Sequence, residues 1–160
     1  MSSSNWYHDA FVVFHADHHT KGEWEVGRDA DEEETKKMIR SAAPDMIQMH
    51  AKGNPGWTTY PSEVGFTPPL LRTDVLGTWR RIAKDLGTPF SVYYNLGRDG
   101  EIMARRPKAN RMDAGGGLRE RMLNYDDETK NTYLWPQITE LIDAYDPSGF
   151  WFDGSCFTVS

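Results

Sequence analysis

A single cysteine, Cys156, stands in 160 residues. One thiol excludes an internal disulfide framework and any cysteine-based metal centre. Long apolar runs are also missing. No stretch approaches the roughly 20 residues of a membrane-spanning helix. The opening "MSSSNWYHDA" has neither a basic nor an apolar leader segment, so the sequence reads as cytoplasmic. Basic charge is sparse: 18 Lys and Arg against 24 Asp and Glu give a net charge of −6. Without a basic stripe there is nothing to neutralise phosphates, which disfavours a nucleic-acid partner. The small group Arg105, Arg106 and Lys108 reads as solvated loop surface. A dinucleotide fingerprint is absent too, since the glycines of "HADHHTKGEWEVG" lack the G-x-G-x-x-G spacing and no helix starts there.

What remains is ordinary globular composition, with six Trp, seven Tyr and seven Phe. Many of these follow apolar runs, where a ring can fill a core or stack on the apolar face of a sugar. Four runs predict strands: "AFVVFH" (10–15), "DMIQMHA" (45–51), "PFSVYYNL" (89–96) and "GFWFD" (149–153). In the second, polar Gln48 and His50 alternate with apolar residues. Helical patterns lie between them. Residues 29–43 open with Asp31 three positions before Glu34, a capping-box-like start, and stop at Pro44. Residues 73–87 carry Val75, Leu76, Trp79, Ile82, Ala83 and Leu86 on one face and end at Gly87. Residues 126–145 contain Pro136 and predict two helical pieces or one kinked helix.

The order is therefore β-α-β-α-β-α-β in one domain over 1–160. Crossover helices between apolar strands predict a parallel α/β sheet. Loops after the strands are long, at 52–72 and 97–125, with a mobile segment expected at 113–120. Loops before the strands are short. That asymmetry places function at the carboxyl ends of the strands.

Those ends carry His15, Asp17, His18 and His19, then His50 and Lys52, then Tyr93 and Asn95, then Asp153. Four of the five histidines belong to this set. In a parallel sheet they converge on one mouth. Asp153, after Trp151 and Phe152, suits a carboxylate that attacks or stabilises an oxocarbenium centre. The bland alternative is that Asp-Gly only begins a turn. His50 and Lys52, two apart, are expected to share a face and bind sugar hydroxyls or a carboxylate; the alternative is a satisfied strand-end histidine and a solvated lysine. Trp57, on the Gly- and Pro-rich loop "GNPGWTTYP", is a candidate stacking platform or a residue that packs the loop down. Tyr93 points to the mouth and Tyr94 to the helices. The "HADHH" cluster offers a different chemistry, a metal-dependent hydrolase with His15, Asp17 and His19 as ligands.

From about Phe11 to Asp153 the chain resembles the N-terminal half of the alpha-L-fucosidase-like glycoside hydrolases and their uncharacterised barrel relatives. The resemblance is carried by "MIQMHAKGNPGWTTYPSEVG", "DVLGTWRRIAKDLGTPFSVYYNLG" and "YLWPQITELIDAYDPSGFWFDG". It implies a (β/α)8 TIM-type barrel, of which only the first half is present, and a retaining mechanism with no metal cofactor. Asp153 takes the place of the family's nucleophile; His15, His50, Lys52, Trp57, Tyr93 and Asn95, read from their places at the strand ends and in the loop, are the candidate substrate-binding residues beside it. The sequence departs from the family where a His-Trp-Gly step gives way to "HADHH" and Lys-His-His to "KGNPG". A whole barrel takes roughly 250 residues. The chain is thus expected to be a fragment, inactive alone, because the family's acid/base lies beyond the fourth strand. Its open edges are expected to favour a homo-oligomer. The alternative to catalysis is a non-catalytic carbohydrate-binding remnant of the barrel.

Overall fold

The computed structural model describes residues 6–106, 110–112 and 123–154. Cys156 and the segment 113–120 lie outside the described residues. Four parallel strands form one sheet in the order β1 (Val13–Ala16), β2 (Met46–Lys52), β3 (Phe90–Asn95) and β6 (Gly149–Asp153). Between them run α2 (Glu32–Ala42), α3 (Val75–Leu86) and α6 (Trp135–Tyr145). This is the parallel α/β arrangement expected from the alternation of patterns.

Local chemistry explains the helix ends. Asp31 caps α2 by accepting from the Glu34 amide at 2.9 Å, and Asp74 caps α3 through the Gly77 amide at 2.8 Å. Gly87 ends α3 in the left-handed region. Ahead of α6, a short α5 (Asp127–Thr129) runs into a π-helical turn, Lys130–Leu134, and Pro136 enters in the first turn of α6. A widened turn there accommodates a proline that can neither donate nor tolerate the preceding carbonyl.

Four elements were not anticipated: α1 (Trp6–Asp9), α4 (Gly100–Arg105) and the antiparallel pair β4 (Asn110–Met112) and β5 (Leu123–Tyr125). All are shorter than the window over which a hydrophobic period is legible. The first strand is also shorter than expected. Phe11 and Val12 precede it, with their amides donating to Asp45 Oδ2 at 2.9 and 2.8 Å. Those two bonds hold the Asp45 carboxyl below its ordinary range.

The two faces of the sheet differ. Ile47, Met49, Ala51, Phe90, Val92 and Tyr94 join the core with Ile39, Leu76, Ala83, Leu134 and Leu141 from the helices. Burial of this face is the main stabilising term, at roughly 25 cal/mol per Å² of apolar surface. The opposite face carries Val13, His15, Met46, Gln48, Tyr93, Trp151 and Asp153 around a cleft of about 430 Å³. On the two outer strands, Val13 and Trp151 are exposed. Among the described residues, no helix is long and apolar enough to cross a membrane.

Candidate active site

Period-two alternation sends every second side chain of each strand to the cleft. The in-register pairs Tyr93↔Trp151 and Asn95↔Asp153 then bring β3 and β6 together at their carboxyl ends. Tyr93 Oη donates to Asp153 Oδ2 at 2.5 Å. Asn95 Nδ2 lies 3.2 Å from the same oxygen, 2.9 Å from Tyr93 Oη and 2.5 Å from Asn54 Oδ1. Its two amide protons serve three acceptors. The other end of Asn95 accepts from the Arg98 amide at 2.7 Å, which orients the side chain. Burial and the neighbouring Asp153 charge push the Tyr93 hydroxyl well above its ordinary range, so it remains a donor.

Asp153 also closes its strand. Its carbonyl accepts from the amides of Leu96 and Gly97, and Gly154 follows with φ +75°. A side chain on Gly154 would collide with the Gly97 backbone. The Asp-Gly turn and the outward carboxylate are thus one feature, and the two readings of that pair do not compete.

The imidazoles extend the cluster toward β1. His50 stacks on the Tyr93 ring, centroids 3.7 Å apart and planes 7° from parallel. His50 Nε2 lies 3.1 Å from His15 Nε2. His15 Nδ1 meets Gln48 Oε1 at 2.7 Å, while Gln48 Nε2 donates to Ser91 Oγ at 3.2 Å. Burial is the main cause lowering the His50 pKa to about 4, with Asp17 opposing and His15, His19 and His18 reinforcing the shift. His50 Nδ1 is buried without a hydrogen-bond partner. His15, His50, Tyr93, Asn95 and Asp153 therefore form one continuous group.

Two residues of the predicted set fall elsewhere. Lys52 does not share the face of His50, because a register shift between them pairs His50 with Tyr93 and Lys52 with Tyr94. One extra residue in a strand turns everything beyond it over. The Lys52 ammonium is fully buried against Asp99 Oδ2 at 2.7 Å and lies over the Tyr94 ring at 4.2 Å. Trp57 is half-buried; its ring lies against Gly22, where a Cβ would come within 2.7 Å of it, and Arg105 sits on it. It packs the loop down. Tyr94 turns to the helices, donating to Gln137 Oε1 at 2.6 Å.

Gln48, Asn54 and Trp151 border the group without having been singled out as site residues. For Gln48 and Trp151 the signal existed: each lies two residues before a predicted site residue and so on its face. Asn54 arrives from a loop, and nothing local marks it.

The described chain has the architecture of the barrel type of α/β protein, with helices outside a parallel sheet and polar groups at the strand tips. No protein-family model and no curated protein matches it. Solved structures do. Alpha-L-fucosidase isoenzyme 2 from Paenibacillus thiaminolyticus superposes with a TM-score of 0.74 at 22% identity, over 90% of this chain and 23% of that one. A Thermotoga maritima alpha-L-fucosynthase gives 0.65 at 18%, over 81% and 29%. The alpha-L-fucosidase GH29 from Bacteroides thetaiotaomicron gives 0.59 at 22%, over 79% and 27%. The likeness is one of fold, to the N-terminal part of fucosidase catalytic barrels. The chain spans less than a third of the length of these structures.

Proposed function

We propose that this chain carries the nucleophile side of a retaining glycosidase site for fucose-like sugars. The observation behind the reading is the Tyr93–Asn95–Asp153 group, a carboxylate at a strand tip held by two donors and open to the cleft. Asp153 attacks the anomeric carbon, and a glycosyl ester forms as the leaving oxygen departs. Tyr93 and Asn95 hold the carboxylate in the attacking orientation. His15 and His50 border the sugar hydroxyls. Trp151, two residues before the nucleophile and 56% exposed, offers its ring to the apolar sugar face. The substrate class is supported by the fold likeness, since a Thermotoga maritima alpha-fucosidase of this fold was solved in complex with fucose and with a mechanism-based inhibitor.

Retention takes two carboxylates roughly 5 Å apart. A glycosyl fluoride makes the nucleophile testable by itself, because fluoride leaves without protonation. The protein is incubated with a 2-deoxy-2-fluoro fucosyl fluoride and followed by intact mass spectrometry. The expected result is one glycosyl adduct, mapped to the peptide of Asp153 and absent from Asp153→Asn. An adduct on another residue, or equal labelling of both proteins, would overturn the assignment. Saturable sugar binding without labelling would favour a non-catalytic carbohydrate-binding role.

A further inference from the structure

The first βα loop brings a third kind of ligand to the two imidazoles. Asp17 follows the end of β1, and its Oδ1 lies 3.6 Å from His50 Nε2. One ligand atom from each of His15, Asp17 and His50 falls within 4.8 Å of the others. A cation bound tetrahedrally at about 2.05 Å would hold its ligand atoms about 3.4 Å apart. The separations of 3.1 Å between the imidazoles and 3.6 Å to the carboxylate bracket that edge.

The His15 tautomer points the same way, while His50 Nε2, which donates to His15 Nε2, must give up its proton for a metal to bind. Gln48 turns its oxygen to His15 because its nitrogen is engaged by Ser91. His15 Nδ1 is then the donor, and the neutral ring presents a lone pair at Nε2. A side-chain oxygen on the far nitrogen of a histidine is the usual support of a metal ligand. The His50 ring plane is fixed by its stacking on Tyr93. His19 is excluded as the third ligand for the same kind of reason. Its Nδ1 accepts from the Asn54 amide at 3.1 Å, so its Nε2 carries the proton and faces Asp17 Oδ1 at 3.4 Å. His19 thus orients the carboxylate, and His50, from the neighbouring strand, replaces it in the set read from the sequence.

We propose that His15 Nε2, His50 Nε2 and Asp17 Oδ1 form a binding site for a divalent late first-row cation of the Zn²⁺ class. Two imidazoles and one carboxylate suit such an ion, and three protein ligands leave a position for water or a hydroxyl group. The site stands on ligand geometry and does not rest on the glycosidase reading.

Chelator-treated, untagged protein is titrated with Co²⁺, whose tetrahedral complexes absorb strongly in the visible. One equivalent is expected to develop those bands, and Zn²⁺ to abolish them. His15→Ala and Asp17→Ala are expected to weaken binding by at least roughly tenfold, and Gln48→Met by roughly 10- to 100-fold through loss of the supporting bond. Asp17 is exposed, so Asp17→Ala tests the site even if His15→Ala fails to fold, with circular dichroism reporting the fold of each variant. Absence of bands at one equivalent, or undiminished affinity in Asp17→Ala, would overturn the proposal. Labelling of Asp153 by the glycosyl fluoride is a separate readout, so failure of one reading leaves the other standing.

Discussion

The Tyr93 hydroxyl donates to Asp153 Oδ2 across the β3–β6 pair at 2.5 Å, while its ring is stacked on His50. One side chain therefore links the carboxylate to the imidazole group and sets the position of both. Tyr93→Phe removes the bond and keeps the stacking. A hydrogen bond to a charged group contributes about 1.5–3 kcal/mol, which corresponds to roughly 10- to 100-fold in rate. The variant is expected to be labelled by the glycosyl fluoride more slowly by about that factor, still at Asp153. Time-resolved mass spectrometry measures it.

His50 supplies a pH dependence of stability. Its pKa falls from 6.5 unfolded to about 4 folded, so between those values the unfolded chain binds more protons. Stability therefore decreases as pH is lowered from about 6.5 to 4, and this contribution is fully present above 6.5. At about 1.4 kcal/mol per pKa unit, discounted for partial screening, the loss is on the order of 2 kcal/mol. The titratable groups facing His50 are His15, Asp17, His18, His19 and the stacked Tyr93, and Asp17 opposes the shift. Urea denaturation in chelator at pH 6.5 and 4.5 should show the loss in the wild type and a smaller one in His50→Gln.

Lys52 and Asp99 form an ion pair in which both side chains are fully buried. Asp99 also accepts from Tyr133 Oη at 2.6 Å and caps α4 through the Ile102 amide at 2.9 Å. Removing one partner strands the other charge. Lys52→Met is expected to cost about 3–5 kcal/mol in urea denaturation, and the cost in Lys52→Met/Asp99→Asn to be less than additive. Additive costs would show that the two groups act independently.

Glu140 reaches from α6 to the loop after β2. Its carboxylate accepts from Tyr60 Oη at 2.9 Å, Ser62 Oγ at 2.6 Å and the Glu63 amide at 2.7 Å. Ser62 Oγ in turn accepts from the Gly65 amide at 2.7 Å. Glu140→Ala leaves a buried tyrosine hydroxyl without its acceptor, at an expected cost of about 1–3 kcal/mol. Hydrogen exchange at the Glu63 and Gly65 amides should accelerate, with the strand amides of Phe90–Asn95 less affected.

Much of the site was legible because strands alternate. His15, His50, Tyr93, Asn95 and Asp153 fall on one face by parity alone, and parallel pairing aligns their ends. Lys52 broke the pattern because the pairing with β3 shifts register between His50 and Lys52, a feature of how two distant strands align, and the turned side chain meets the buried carboxylate of Asp99. The metal-ligand set changed for a similar reason. His15, Asp17 and His19 are close in sequence, but the His19 ring is spoken for by the Asn54 amide, and the third imidazole comes from β2.

The order of the four parallel strands and of α2, α3 and α6 between them, the helix ends at Asp31 and Gly87, and the apolar faces of these elements were already determined by the sequence, because they depend on neighbours within a few residues. Tertiary structure alone decided that Tyr93 meets Asp153, that Lys52 meets Asp99, and that His50 rather than His19 completes the set with His15 and Asp17. Those contacts join residues separated by about 30 to 60 positions, and their geometry depends on register, bulges and ring orientation, which no local pattern of residues encodes.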